Sequence, residues 1–188
     1  MLKYQKIMLK QPNNIIQQGM HQFKHWCINK PYQSSFTICF AKGIMCDLLA
    51  QKVLEKREKI NYTRNLAFGV FSGVYCGSFM NLLYNNVYTQ MFGTCVRSGV
   101  FKTAFELLVH IPFVYFPSYY GFKSIIKNQN FLTEYINDPS PIVLQYWKVW
   151  GPSVFIIFNF VPLHLRITSV ACMSFGWMIY LSYTSPLA

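Results

Sequence analysis

The last forty residues of the chain limit its fold more than any other stretch. Two apolar runs follow each other between Trp147 and Ser182, broken mainly by Asn159, Pro162 and Arg166. A lone cation among so many aliphatic and aromatic side chains is rare in a soluble core. A membrane segment can hold such a cation if it faces a specific partner or a wet cavity. The stretch therefore indicates membrane-embedded helices.

The composition agrees with a multi-span membrane protein of one domain. Hydrophobic residues make up 53% of the 188 and charged residues 12%, whereas soluble domains are about 45–50% apolar and about 25% charged. The net charge of +11 accompanies no nucleic-acid-binding motif, and the basic residues lie beside apolar runs. We therefore expect membrane lipids as partners, including bound phospholipids, and no nucleic acid.

The apolar runs predict an all-α, integral membrane four-helix bundle with short interfacial helices. A helix needs roughly 20 apolar residues to cross a bilayer. We expect the four spans at about 35–54, 62–84, 99–122 and 163–183. Because indoles favour the headgroup layer, a short helix before Pro162 is expected to place Trp147 and Trp150 there. Residues 1–33 form a basic polar N-terminal extension, and 34–188 form the membrane domain.

The N-terminal extension carries Lys3, Lys6, Lys10, Lys24 and Lys30, and the first acidic residue of the chain is Asp47. A basic, acid-free start is typical of mitochondrial targeting segments. A tail rich in Gln and Asn remains mobile when it is free. We expect neighbouring protein subunits to contact residues 1–33 and hold them.

Ionisable and amide side chains interrupt the predicted spans, and each would be costly if it faced lipid. Side chains four residues apart share a helix face, as do Asp47 with Gln51 and, along one stripe, Lys102, Glu106 and His110. Two interpretations remain open. These side chains line a water-filled path, or they only fix helix packing, with Glu106 paired to Lys102 or Arg166.

Gly69, Gly73 and Gly77 recur at four-residue spacing in the second span. Such a series forms a smooth groove that lets another helix approach closely. The partner can be a helix of the same chain or of a second copy.

The sequence contains none of the common catalytic motifs. It has no P-loop, G-x-G-x-x-G, G-x-S-x-G or H-E-x-x-H pattern. The six cysteines form no C-x-x-C pair, and His21 with His25 has no evident further metal ligands. We predict that the chain is not an enzyme and holds no metal or other cofactor.

The C-terminal stretch resembles a known pattern, W-x-x-W-P, N-F-x-x-V-P-x-x-x-R and W-x-x-x-L-S. It is matched by Trp147, Trp150, Pro152, Asn159, Phe160, Pro162, Arg166, Trp177, Leu181 and Ser182. Two spacings depart from the pattern: Pro152 comes one residue late, after Gly151, and no spare residue precedes Val161. The pattern is that of the small four-span proteins named for the mitochondrial inner-membrane protein Mpv-seventeen and the 22-kDa peroxisomal membrane protein. Other family positions differ here, since Ser78, Asn81, Leu83 and Leu107 replace the family's Pro, His, Trp and Gln.

The resemblance implies a multi-pass protein of the mitochondrial inner membrane, with the peroxisomal membrane as the alternative. Because family residues are lost, we expect an accessory, structural subunit of a large respiratory-chain membrane complex. The alternative that the family implies is a non-selective channel or small-solute pore. Its candidate residues are Asp47, Gln51, Lys102, Glu106, His110 and Arg166.

Overall fold

The computed structural model describes residues 11–127, 130 and 141–184, and all regular structure in them is helical. The helices are α1 (Gln11–Asn29), α2 (Pro31–Leu49, continued by a π-helical turn over Ala50–Leu54), α3 (Tyr62–Phe92), α4 (96–127), α5 (Pro141–Phe160) and α6 (Arg166–Thr184). Helix α3 is π-helical over Ser72–Phe79 and Leu82–Val87, and α4 over Glu106–Tyr115. A 3₁₀ turn, Leu163–Leu165, leads into α6. The predicted basic residues Lys3, Lys6 and Lys10 lie outside the described residues.

Local residue chemistry accounts for most helix ends. Pro31 opens α2, where its missing N–H costs nothing. The Asn61 side chain accepts a hydrogen bond from the Arg64 backbone N–H at 3.0 Å and so caps the start of α3. Gly93 ends α3 with a φ of 77°, a left-handed conformation that glycine adopts readily. Pro162 follows α5, since proline cannot continue a helix.

Helices α2 to α6 surround a common core. Helix α2 packs along α3, α6 packs on α2 and α5, and α5 packs on the first part of α4. Aromatic side chains close the remaining gap between α3 and α4, with the rings of Phe71 and Phe122 stacked at 4.4 Å. The core is apolar and aromatic, and includes Cys39, Met80, Tyr84, Tyr88, Trp150, Val154, Ile157, Phe158, Ile167, Val170 and Ala171.

Two described helices are long and apolar enough to cross a membrane, Tyr62–Phe92 and Arg97–Phe122. The all-helical prediction is confirmed. The count of four membrane-spanning helices is not confirmed, because among the described residues these two helices alone meet that criterion; five helices surround the core. The expected short helix before Pro162 is wrong: α5 has 20 residues and continues through Pro152. Its Trp150 is buried in the core.

The glycine series of α3 faces α2 of the same chain. A Cβ atom at Gly69 or Gly73 would meet the side chain of Ile44 or Phe36. At Gly77 the neighbour is backbone, since a Cβ atom there would lie 2.6 Å from the Ser35 carbonyl oxygen. The groove is therefore filled within the chain and is not open to a second copy.

Replacing Gly77 with alanine should destabilise the protein by about 1–3 kcal/mol, the usual cost of overpacking a core. The added methyl group must push α2 and α3 apart because backbone cannot move aside as a flexible side chain can. Gly121→Ala is the matched control, since nothing lies within 4 Å of a Cβ atom there. Unfolding in mixed detergent micelles measures both. Equal stability of the two variants would contradict the close approach at Gly77.

Candidate functional site

A cavity of about 70 Å³ lies at the centre of the bundle. All five core helices contribute to its wall. Its polar side chains are Lys42 from α2, Tyr75 and Tyr84 from α3, Glu106, His110 and Tyr115 from α4, Tyr146 from α5 and Ser174 from α6. Since a water needs only about 10–15 Å³ of such space and polar partners, the cavity can hold several waters or a very small solute.

Glu106 is the central acid of this cavity. Its side chain is buried, and Tyr84 and Tyr88 each donate a hydroxyl hydrogen bond to it at 2.8 Å. His110 Nδ1 lies 3.0 Å from Glu106 Oε1, and the Tyr75 hydroxyl lies 3.1 Å from His110 Nε2. With Glu106 ionised, His110 donates from Nδ1 and accepts from Tyr75. This unbroken chain of hydrogen bonds can hold or move a proton inside the bundle.

Asp47 and Gln51 belong to a second, separate network between α2 and α3. Gln51 Nε2 donates to Asp47 Oδ2 at 2.6 Å, and Arg64 Nε donates to Asp47 Oδ1 at 2.9 Å. Asn65 Nδ2 adds a hydrogen bond to Asp47 Oδ2 at 3.1 Å. Neither Asp47 nor Gln51 lines the central cavity, so this network joins two helices.

The second network continues into the connector after α2. Arg64 also pairs with Glu55, with 2.6 Å between Arg64 Nη2 and Glu55 Oε1. Hydrogen bonding to Arg64 lowers the pKa of Glu55, and its second cationic partner, Arg57, acts in the same direction. Glu55 thereby stays ionised and ties the connector to Arg64 at the start of α3.

Lys102 and Arg166 form a third group, and the expected ion pairs of Glu106 with Lys102 or Arg166 are wrong. Glu106 is already occupied by hydroxyl groups and His110. The Lys102 ammonium lies 5.9 Å from the ring centre of Phe158, and the Arg166 guanidinium lies 5.5 Å from it. The six sequence candidates therefore divide among three places in the fold.

Arg166 donates its hydrogen bonds to main-chain carbonyls. Its Nη2 lies 3.0 Å from the carbonyl oxygen of Phe158, and longer bonds of 3.4 Å reach the carbonyl oxygens of Val161 and Tyr84. The last carbonyls of a helix lack intrahelical partners, and Pro162 prevents α5 from continuing. Arg166 satisfies these carbonyls, so it holds the end of α5 to α3 and to the start of α6.

Most of the remaining residues of the family pattern make packing contacts within the bundle. The Trp150 ring stacks on Tyr146 at 5.3 Å, and the Trp177 ring meets Tyr146 edge-on at 6.2 Å. Asn159 packs directly on Gly99 of α4. Trp147 is half-buried, and Phe160 is exposed. Asn81, in place of the family's His, donates to Ser35 Oγ at 2.6 Å and so ties α3 to α2.

Sequence reasoning missed Arg64, Tyr75, Tyr84 and Tyr88 as partners of the buried polar groups, and it missed Lys42 in the cavity wall. The spacing of Tyr84 and Tyr88 by four residues was an available signal, because it puts both hydroxyls on one face of α3. Among the described residues, no cluster of three His, Cys, Asp or Glu side chains could hold a metal ion. His25 contacts Asn29, and both side chains are exposed.

Comparison with known proteins supports the resemblance. The model of the Mpv17 / PMP22 family matches residues 127–182. PXMP2/4 family protein 3 of Dictyostelium discoideum is 29% identical over 164 residues, which cover 82% of this chain and 84% of that protein. Protein SYM1 of Candida albicans is 35% identical over 91 residues, which cover 46% of this chain and 47% of that protein.

Protein SYM1 of Kluyveromyces lactis is 32% identical over 75 residues, 38% of either chain. No solved structure matches this chain. None of the matched names denotes an enzyme. The C-terminal motif, the family model and these relatives together show that the chain is similar to the Mpv17 / PMP22 family of membrane proteins.

Proposed function

We propose that the chain is a non-catalytic, multi-span protein of the mitochondrial inner membrane and an accessory subunit of a large membrane assembly, such as a respiratory-chain complex. In this proposal α2, α3, α4 and α6 are the four spans. Similarity to the Mpv17 / PMP22 family supports the membrane location, and the basic, acid-free start of the chain supports the mitochondrion. Helix α1 is the proposed docking element.

The observation that carries the proposal is the apolar stripe of α1, defined as Ile16, Met20 and Phe23. These side chains follow each other at spacings of four and three residues, so they share one face. Cys27 continues the stripe by one turn and is buried against the bundle. Ile16 and Met20, in contrast, are about 60% exposed. The face of α1 that packs on the bundle at Cys27 is therefore not covered by other residues of the chain along most of its length.

The other faces of α1 favour a protein as the occupant. Helices that lie on lipid surfaces carry many Lys and Arg on the polar face. Helix α1 has only Lys24 as a charged residue, and its polar side chains are mainly Gln, Asn and His. Neutral amides and imidazoles form hydrogen bonds with protein groups, and an apolar stripe with a polar rim is typical of subunit interfaces.

Copurification tests this proposal. In mild detergent, the chain should migrate with a large inner-membrane complex at fixed stoichiometry. The double variant Ile16→Ser/Met20→Ser should leave that complex while it remains in the membrane, because it removes the apolar stripe. Ile15→Ser is the matched control: its side chain is also exposed, but it lies about 100° around the helix from Ile16.

Three outcomes would contradict the docking role of α1. The first is recovery of the wild-type chain only as a free monomer or homo-oligomer. The second is an intact complex with the double variant. The third is an Ile15→Ser variant that leaves the complex to the same extent as the double variant. That result would indicate a general effect of removing apolar surface from α1, not a specific role of the stripe.

A second candidate function is passage of a small solute, and the central cavity favours it. The cavity has Lys42 and the Glu106–His110 pair in its wall, and intramembrane ionisable groups often mark solute pathways. Purified protein in planar bilayers should then conduct, and Lys42→Gln should change the conductance or its ion preference. Folded protein that carries no current would overturn this candidate.

A further inference from the structure

Two buried cations share one ring near the α3–α4 turn. Lys102 of α4 is 1% exposed and Arg166 of α6 is 6% exposed. Both lie within 6 Å of the ring centre of Phe158. Lys102 is six residues beyond the start of α4, which is about 9 Å along the helix.

No carboxylate compensates this pair of charges. The ion pairs of the described residues involve Asp47, Glu55 and Glu106, and none includes Lys102 or Arg166. Glu106 lies one turn from Lys102, but hydroxyl groups and His110 occupy it. An uncompensated buried charge costs several kcal/mol, so two neighbouring ones call for an anion.

Both Lys102 and Arg166 have N–H groups without a hydrogen-bond acceptor in the described part of the chain. Among the described residues, the Lys102 ammonium has no hydrogen-bond partner and only the Phe158 ring below it. Arg166 has five N–H groups. Three hydrogen bonds to carbonyls leave two of these groups without a partner in the described part of the chain.

The end of the bundle that contains Lys102 and Arg166 is called here the acid-free end. Its other charged residues also favour an anion. The Tyr32 hydroxyl accepts a hydrogen bond from Asn86, so the start of α2 lies beside the end of α3. Helices α4 and α6 also start here, while α1, α3 and α5 end here, so the partial charges of the helix termini offset each other. Lys30 and Arg97 are further cations at this end. Asp47, Glu55 and Glu58 lie at the opposite end of α2 or beyond it.

We propose that Lys102 and Arg166 form a binding site for a phosphate group. Lysine supplies a compact charge, and the unused N–H groups of arginine suit phosphate oxygens. The phosphate can belong to the headgroup of an anionic phospholipid or to free inorganic phosphate, because the recognition chemistry is the same. This site is distinct from the docking face of α1 and from the central cavity, and it stands whichever function the chain has.

The test uses the full-length chain, stripped of lipid in detergent. Native mass spectrometry compares retention of phosphatidylglycerol with that of phosphatidylcholine. Thermal unfolding compares inorganic phosphate with chloride at equal ionic strength. The variant is Lys102→Met, which keeps an unbranched side chain, and the control is Lys52→Met, an exposed lysine beyond the opposite end of the bundle.

We expect wild-type protein to bind at least one phosphate probe saturably, and Lys102→Met to weaken that binding about ten-fold, on the scale of one charge-assisted contact. Lys52→Met should bind as wild type does. Preference for phosphatidylglycerol with no response to phosphate assigns the site to a lipid headgroup, and the reverse assigns it to a free anion.

Two results overturn the proposal. One is wild-type protein that distinguishes neither phosphatidylglycerol from phosphatidylcholine nor phosphate from chloride. The other is an equal loss of binding in Lys102→Met and Lys52→Met, which indicates diffuse attraction by the net charge. If Lys102→Met does not fold, Lys102→Arg decides: it keeps the charge, so it must fold and bind for the proposal to stand.

Discussion

Replacing Asp47 with asparagine should lower the free energy of unfolding by about 1–3 kcal/mol, the cost of leaving buried donors without an acceptor. Asp47 is 1% exposed and accepts hydrogen bonds from Arg64, Gln51 and Asn65. An asparagine amide would point its own donors at two of these three donors, and Arg64 would keep only Glu55 as a charge partner. The α2–α3 contact should weaken accordingly.

Unfolding in mixed micelles of dodecyl maltoside and dodecyl sulfate measures this effect. Glu58→Gln is the control, because Glu58 is exposed and forms no side-chain ion pair within the described part of the chain. The control should change stability by at most about 0.5 kcal/mol. If Asp47→Asn is as stable as the control, Asp47 does not hold α2 to α3.

Arg166→Leu should destabilise the protein by about 3 kcal/mol, because a buried acceptor left without its donor costs about 1–3 kcal/mol. The substitution leaves the carbonyl oxygen of Phe158 without its hydrogen-bond donor and removes the longer hydrogen bonds to Val161 and Tyr84. Arg166→Lys keeps the charge but cannot span three carbonyls, so its loss of stability should lie between those of wild type and Arg166→Leu.

Arg97→Leu is the matched control for Arg166, since Arg97 is exposed on α4. It should leave the yield of folded protein and the unfolding midpoint near the wild-type values. Wild-type stability of Arg166→Leu would contradict the role of Arg166 as a cap for the end of α5. If its conductance in bilayers also changed, the pore would gain support over the accessory subunit.

The helices themselves could be predicted from the sequence, because their signals are local. The apolar runs correspond to α2, α3, α4 and α6, and Pro162 separates α5 from α6. The length of α5 was underestimated, since the helix continues through Gly151-Pro152 to Phe160. Proline inside a helix costs one hydrogen bond, and packing of Val154 and Ile157 in the core favours the continuous helix.

The partners of the buried charges could not be predicted, because they depend on neighbouring helices. The spacing of Lys102, Glu106 and His110 places them on one stripe and suggests that they pair with each other. The competing donors, Tyr84 and Tyr88, belong to α3 and resemble ordinary membrane aromatics in sequence. Likewise, nothing in the order of residues shows that Arg166 meets carbonyls where an acid was expected.

The π-helical stretches of α3 and α4 constrain how many residues these helices contain. Each π-helical stretch holds residues that an α-helix of the same span would not accommodate. Deleting one residue there would rotate everything beyond it by about 100°. Tyr84 would swing away from Glu106, and His110 would lose Tyr75. The spacing of the residues along these stretches is therefore constrained as well as their identity.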